Sequence, residues 1–182
     1  MSEFRIDQIK SQDATRGPDV AGITTFTGTS GIVMPSGNTA YRGGRGRGMW
    51  GGGFGPSQFN TIDYVTIATT GDATDFGDLT RANDYVSGLA SSVRGVWCGG
   101  NNSSDAAQDT IDYVTISSTG NAFDFGDLSS AELAVGTVSD GTRGLAGGGY
   151  DQSNYRSTID QITISTLGNA FLVGDRDWET VT

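Results

Sequence analysis

The sequence predicts an all-β fold built from repeated four-stranded antiparallel units. A heptapeptide occurs three times, a glycine-rich segment precedes each copy, and 29 of the 182 residues are glycine. The copies read TIDYVTI at 61–67, TIDYVTI at 110–116 and TIDQITI at 158–164, so they start 49 and 48 residues apart. A period of this length indicates one supersecondary unit stacked against copies of itself.

The middle unit shows its four strands in order. We predict its strands at 85–93, 94–100, 110–116 and 122–125, with turn signals between them. This order is that of an antiparallel meander. The third unit repeats the first strand at 133–142, whereas the first unit offers only the poor candidate 39–43.

The third strand indicates how the units pack. Successive side chains of a strand point to opposite faces, so Ile62 and Tyr64 share one face and Val65 and Ile67 share the other. Apolar residues on both faces predict a unit that is covered on both sides, as blades of a β-propeller are. A glycine-rich β-solenoid and an ordinary β-sandwich remain alternatives.

Residues 1–41 do not belong to the repeat and are predicted to be an extended segment for oligomerisation or attachment. Residues 42–182 form the repeat region of about three units. Two β-prone stretches, 20–26 and 32–34, are too short to bury a core, so we expect partner chains to complete them. The N-terminus has no apolar core of signal-peptide length, and no run has the roughly 18 apolar residues of a membrane helix.

Composition and charge exclude several classes of function. The net charge of −10 argues against a nucleic-acid binder, which needs a basic surface to displace counterions. The one basic patch, Arg42, Arg45 and Arg47 among glycines, lies inside the repeat register. With no histidine and one cysteine, the sequence excludes intramolecular disulfides, Cys/His zinc sites and histidine-based triads. That cysteine, Cys98, alternates with apolar residues, which predicts a buried structural thiol.

The repeat resembles the kelch family. TRANDYVSGLASSVRGVWCGG at 80–100, followed by TIDYVTI, has the kelch order of a small-residue strand, a strand ending in a glycine doublet, a polar loop and a third strand. The resemblance covers residues 47–176 and implies kelch-like blades. The tryptophan usual on the fourth kelch strand is replaced by Phe76, Phe125 and Leu172. A kelch protein's function is therefore not carried over.

A second resemblance concerns the N-terminal part. The stretch KSQDATRGPDVAGITTFTGTSGIVMPSGNTAYRGGRGRG, residues 10–48, is similar to the leader of structural proteins from tailed bacteriophages, the cyanophage type in particular. It implies a virion component, a tail fibre or tail-associated adhesin, made in the host cytoplasm. It carries no known active residues.

Three units are too few to close a propeller, which needs at least four blades. Either several chains combine, or the chain is a fragment, or the array stays open. We expect several chains to combine, because closed symmetry is usual for oligomers. We predict a homotrimer, since threefold symmetry is what the resemblance to phage fibres implies. Other virion proteins are the remaining predicted partners.

The candidate binding site lies in the loops between second and third strands. These loops, 54–60, 101–109 and 150–157, differ while the framework repeats, and rigid scaffolds often present binding residues on loops. Amides and flat rings suit sugars, which makes six residues candidates for glycan binding, although solvated turn residues are the alternative. They are Asn101, Asn102, Tyr150, Asp151, Asn154 and Tyr155.

Paired acids recur with the repeat, at Asp72 and Asp75, Asp124 and Asp127, and Asp175 and Asp177. A glycosidase needs two carboxylates facing one sugar, but acids that recur with the repeat are expected to cap turns. Calcium at these turns is an alternative, without the spacing of an EF-hand. We predict no catalytic residue, metal or cofactor. Three functions remain open: a receptor-binding fibre module, a purely structural or decorating virion subunit, and a glycan-degrading tail spike.

Overall fold

The computed structural model describes residues 46–177, and these residues form an antiparallel all-β fold. The predicted fold class is therefore confirmed at this level, while the N-terminal segment 1–41 lies outside the described residues. No helix in the described range is long and apolar enough to cross a membrane. The strands are β1 (Arg47–Phe54), β2 (Gln58–Thr66), β3 (Thr74–Asp78), β4 (Asn83–Asp84), β5 (Ser87–Ala90), β6 (Arg94–Cys98), β7 (Asn101–Asn102), β8 (Thr110–Thr115), β9 (Phe123–Asp127), β10 (Gly136–Ser139), β11 (Arg143–Tyr150), β12 (Tyr155–Thr163) and β13 (Phe171–Asp175).

The strands form three repeated sheets and one short ladder. Sheet 1 has the order β1-β2-β3, sheet 2 the order β5-β6-β8-β9 and sheet 3 the order β10-β11-β12-β13. All their pairings are antiparallel, so the predicted meanders are confirmed, including the first strands of the second and third units. The extra ladder pairs β4 with β7. The candidate first strand 39–43 of the first unit lies outside the described residues.

Each sheet has a β-bulge at the same place, between the strand of the repeated heptapeptide and the strand that follows it. In sheet 2, Asp112 pairs with Asp124 and the ladder skips Phe125. In sheet 3, Asp160 pairs with Leu172 in the same way, so Val173 occupies the place of Phe125. The alignment of Leu172 with the two phenylalanines was therefore wrong by one residue, since Val173 follows Gly168 at the same distance as Phe76 follows Gly71 and Phe125 follows Gly120.

The sheets pack face to face through two apolar cores. The core between sheets 1 and 2 contains Ile62, Phe76, Leu79, Trp97 and Val114. The core between sheets 2 and 3 contains Leu89, Val96, Cys98, Ile111, Phe125, Leu128, Val135, Ala146, Ile162 and Ile164. Neighbouring positions of β8 thus face different sheets, since Val114 belongs to the first core and Ile111 to the second. The prediction that this strand is buried on both faces is confirmed for sheet 2.

Large and small residues match across these interfaces. A Cβ added at Gly51 of sheet 1 would lie 2.8 Å from Nε1 of Trp97, so the indole of sheet 2 rests on this glycine. A Cβ added at Gly144 of sheet 3 would lie 2.7 Å from Cδ2 of Leu89. Such interlocking gives protein interiors their high packing density. It also fixes how far each sheet can slide over the next.

Two hydrogen bonds recur at both interfaces and tie the sheets at polar points. The guanidinium of Arg47 donates to the carbonyl of Ile116 in sheet 2, and the guanidinium of Arg94 donates to the carbonyl of Ile164 in sheet 3 at 2.7 Å. Because equivalent residues make equivalent contacts, the second interface repeats the first one period later.

The buried aspartate of the repeated heptapeptide makes the second recurring bond. Asp112 accepts from the backbone amide of Thr80 at 2.9 Å and from its hydroxyl at 2.7 Å. Asp160 accepts from the backbone amide of Ser129 at 2.7 Å. The aspartate therefore has a structural role in joining successive sheets.

Candidate functional site

The third variable loop is a tight turn between β11 and β12. Asp151 Oδ1 accepts from the backbone amides of Ser153 at 2.8 Å and Asn154 at 2.6 Å. Gln152 between them has a φ of 72°, the left-handed conformation that such turns require. The hydrogen bonds from the amides of Asn154 and Ser153 lower the pKa of Asp151. The carboxylate is thus an ionised acceptor that stabilises the turn.

Two tyrosines flank this turn. Tyr150 and Tyr155 are cross-strand partners whose ring centroids lie 5.2 Å apart. The side chain of Tyr155 is 81% exposed, whereas Tyr150 is half-buried. Next to them, Arg156 Nε lies 3.0 Å from Asp151 Oδ2. The turn therefore presents one flat ring to solvent from a base held by hydrogen bonds and an ion pair.

The second variable loop uses its amides internally. Asn101 is only 4% exposed, and its Nδ2 donates to Asp105 Oδ1 at 2.7 Å. Asn102 Oδ1 accepts from the backbone amides of Ser104 at 2.9 Å and Ala106 at 3.1 Å. These asparagines shape the loop, so their side-chain amides are already engaged with the protein.

Gln152 joins the two loops. Its Nε2 donates to Asn101 Oδ1 at 3.2 Å and to the backbone carbonyl of Asp105. The structure thereby brings Asn101 next to the turn that carries Asp151 and Tyr155, although about 50 residues separate them in sequence. Sequence reasoning missed Gln152 and Asp105, and no local signal marks them, because their roles arise from the packing of neighbouring units.

Behind the second loop lies a buried polar wall. Asn83 and Asp84 of β4 pair with β7, and they are 4% and 6% exposed. The Oδ1 atom of each has no hydrogen-bond partner among the described residues. Buried acceptors of this kind are costly unless they bind a donor. Because both atoms are buried, they belong to the interior behind the loop and are not available to a bound ligand.

The first variable loop differs in chemistry from the other two. It is the short connection between β1 and β2, and it exposes Phe54 and Phe59 by 67% and 42%. Its apolar rings contrast with the amides and carboxylates of the two later loops. The polar candidate residues all lie on the connections of sheets 2 and 3.

The recurrent acids bind backbone amides. Asp75 Oδ1 accepts from Gly77 and Asp124 Oδ1 accepts from Gly126, each at 3.1 Å. Within residues 46–177, no group of three or more His, Cys, Asp or Glu residues is arranged to hold a metal ion. Cys98 is buried, and burial followed by repulsion from Asp160 and Asp112 raises its pKa to about 12. Its thiol therefore stays protonated, as expected for a structural cysteine.

No protein-family model matches this chain, and no curated protein matches its sequence.

Proposed function

We propose that this protein is a structural component of a tailed-bacteriophage virion, a tail fibre or tail-associated adhesin that binds a host-surface glycan. The site consists of the loops 101–109 and 150–157. The observation that carries this proposal is the junction at Gln152, which ties these loops into one surface beside the exposed ring of Tyr155. The virion assignment rests on the resemblance of residues 10–48 to phage leaders.

The geometry of the loops suits a sugar. Tyr155 offers an open ring face for stacking against a sugar, and its rigid turn holds that face towards solvent. The Asp151 turn and the Gln152 contacts hold the loops in place before a ligand arrives. Such pre-organisation lowers the entropy cost of binding. An oligomer with several such sites then gains avidity on a cell surface.

We further propose that the sheets are kelch-like blades of β-propeller type. Three meanders packed face to face, with the same inter-sheet hydrogen bonds at each junction, support this interpretation. Blades of this type leave the loops between second and third strands together at one end of the array, where the candidate site lies.

We propose a binding function without catalysis, because Asp75 and Asp124 are engaged in turns and Asp112 joins successive sheets. A glycan-degrading spike would release reducing ends from host polysaccharide. A purely structural subunit would bind no glycan at all. A glycan array followed by a reducing-end assay on host envelope polysaccharide distinguishes these three functions.

The decisive variant is Tyr155→Ala. Removing the exposed ring is expected to weaken glycan binding about tenfold or more, as loss of an aromatic anchor does. Phe123→Ala is the matched control, because Phe123 is 66% exposed but lies on β9 at the opposite end of sheet 2. Equal glycan binding by both variants, or by neither, contradicts the assignment of the site.

The proposed partners are other copies of this chain, with a trimer as the predicted assembly, and other virion proteins. Neither a nucleic acid nor a membrane is proposed as a partner. Mass spectrometry of purified particles tests the localisation, since the chain is expected in the virion. Its absence from particles would contradict the virion assignment without bearing on glycan binding.

A further inference from the structure

The outer face of sheet 1 is apolar and open. Trp50 is 59% exposed and Ile67 is 69% exposed. Their counterparts in sheet 2, Trp97 and Ile116, are only 7% and 6% exposed. Trp97 lies in the core against sheet 1, and the carbonyl of Ile116 accepts a hydrogen bond from Arg47 of that sheet. Trp50 and Ile67 thus have the residue types of a buried inter-sheet face, and no described sheet lies against them.

The outer face of sheet 3 corresponds to the face of sheet 2 that packs on sheet 3. Val138 is 65% exposed, whereas its counterpart Leu89 in sheet 2 is 8% exposed against sheet 3. Beside Val138 lies a hollow of about 400 Å³, also lined by Arg143, Leu145 and Gln161. Within residues 46–177, the array therefore ends in two different faces, and each lacks the neighbouring sheet that its counterpart has at an internal interface.

We propose that these two faces bind each other between copies, so that sheet 3 of one copy packs on sheet 1 of the next. The occupant of each face is a second copy of this chain. This inference rests on the homo-oligomer proposed above and names the surfaces that form it. Such a contact is head-to-tail, so it generates a ring if the rotation closes and a filament if it does not.

The first argument is the match of tryptophan with glycine. Inside the chain, Trp97 of sheet 2 rests on Gly51 of sheet 1. Across the proposed contact, Trp50 takes the place of Trp97, and Gly147 of sheet 3 takes the place of Gly51. A Cβ at Gly147 would meet only atoms of its own sheet, at 3.6 Å or more. The indole therefore finds the small residue that it needs on the open face of the next copy.

A second match runs in the opposite direction. Inside the chain, Leu89 of sheet 2 fits against Gly144 of sheet 3. Across the contact, Val138 takes the place of Leu89 and Gly48 takes the place of Gly144. A Cβ at Gly48 would meet Trp50, Val65 and Ile67 of the same open face, the nearest atom at 3.4 Å. Each face thus has one projecting side chain, and one glycine that leaves space for the projecting side chain of the other face.

A polar contact supports the same register. Arg47 and Arg94 each donate to the carbonyl of an isoleucine one sheet further on. Arg143, the third arginine of this series, is exposed on β11 at the end of the array. In the proposed contact it reaches the carbonyl of Ile67, the isoleucine that ends the first heptapeptide.

Two positions of the contact differ from the internal interfaces. At the first, Arg176 stands where Leu79 and Leu128 lie in the apolar cores. The second is a pair of acids. Thr80 and Ser129 donate to Asp112 and Asp160 inside the chain. Asp177 follows the fourth strand of sheet 3 at the position of Thr80 and Ser129, and it faces Asp63 across the contact. Two carboxylates at this place repel each other, so the contact between copies is weaker than the internal interfaces.

Residues 1–45 do not offer an equivalent occupant. They contain no copy of the heptapeptide and none of the fourth-strand pattern that ends in GDL or GDR. A second copy supplies the whole sheet, with its glycine, arginine and valine in register. Continuity with the internal interfaces therefore favours another copy of this chain over the N-terminal segment.

The test is the mass of the full chain by sedimentation over a range of concentrations. The wild type is expected to associate, and Trp50→Ala and Gly147→Leu each to weaken association about tenfold or more. A Cβ at Gly147 would lie 3.6 Å from Ile159 and 3.7 Å from Arg176, so it fits, and circular dichroism checks that Gly147→Leu is folded. Phe123→Ala is the exposed-aromatic control and leaves association unchanged.

Asp177→Thr adds a test that damage to the fold cannot imitate. It restores the residue of the first internal interface and removes the repulsion with Asp63, so it is expected to tighten association several-fold. A monomeric wild type, or an oligomer that neither Trp50→Ala nor Gly147→Leu weakens, overturns the proposed contact. In the second case the homo-oligomer proposal is retained and only the assigned contact surfaces are wrong. Glycan binding by Tyr155→Ala is a separate measurement, which tests the proposed function.

Discussion

At the scale of the residue, glycine permits the backbones of neighbouring units to approach. Gly99 has a φ of +64°, and a Cβ there would lie 2.4 Å from the carbonyl oxygen of Glu132. Gly52 has a φ of +68° and stands in the same relation to the carbonyl of Asn83. The glycine-rich segments thus leave room for the backbone of the segment that leads into the next sheet.

Gly99→Ala is expected to lower the free energy of unfolding by at least ~2 kcal/mol, because it adds left-handed strain and a clash with backbone. Urea unfolding measures this change. Gly136→Ala is the control, since its nearest neighbour would be a carbonyl at 3.5 Å and its φ is not positive. Similar losses in both variants would contradict the role given to Gly99.

The candidate site was chosen from residue types alone. The structure shows which of these side chains are exposed and which are already bound within the protein. Tyr155 was chosen as a candidate because its loop varies and aromatics suit sugars, and the structure shows that it is exposed. Asn101 has a suitable side chain, but it is buried and bound to Asp105 and Gln152. Whether a side chain is exposed depends on contacts between units, and the sequence of a single unit does not show these contacts.

At the scale of the element, two aspartates in different settings oppose each other in pH dependence. Burial raises the pKa of Asp112 beneath Thr80, with Asp124 raising it further and Thr80 and Arg81 lowering it. Its contribution to stability is greatest below its ordinary pKa of 3.8 and is lost as the pH rises through the folded value.

The turn between β10 and β11 shows the opposite case. Hydrogen bonds from the backbone amides of Arg143 and Thr142 lower the pKa of Asp140. Its contribution is present above the ordinary pKa of 3.8 and is lost as the pH falls through the folded value.

Comparison of Asp112→Asn and Asp140→Asn with the wild type separates these effects. As the pH rises, the wild type should lose stability relative to Asp112→Asn and gain stability relative to Asp140→Asn. Urea unfolding between pH 3 and pH 7, about the range in which carboxylates titrate, measures both slopes. Slopes of the same sign would show that one aspartate is not in the environment described.

The elements were predictable where periodicity defines them. The two-sided pattern of the third strand predicted that its faces contact different neighbours, as Ile111 and Val114 do. The pairing of β4 with β7 was not predictable, because two-residue strands carry no periodic signal. The bulge after Ile111 was also missed, since pairing between strands rather than composition places it.

At the scale of the whole molecule, the number of sheets bears on assembly. Residues 46–177 contain three repeated sheets, so two copies supply six and three copies supply nine. Propellers usually have four to eight blades, which favours two copies for a closed ring. The trimer inferred from the sequence stays a prediction. The mass measurement described above tests both numbers.

Cys98 reports on the integrity of the array, because it lies in the core between sheets 2 and 3. With a pKa of about 12 and 1% exposure, the thiol should react with Ellman's reagent at pH 8 about a thousandfold more slowly than a free cysteine. Labelling during urea unfolding should follow the separation of these sheets. Rapid labelling of the folded protein would contradict the burial.

The match of Trp97 with Gly51 also limits how a gene of this kind can lengthen. Duplication of the first unit would place a second Trp50 on Gly51, which repeats a fit that the chain already contains. Duplication of the second unit would instead force Trp97 against Cys98, where a side chain fills the space that the indole needs. Packing therefore permits only some duplications of a unit to fold. The packing between sheets therefore restricts the order in which the units can follow one another.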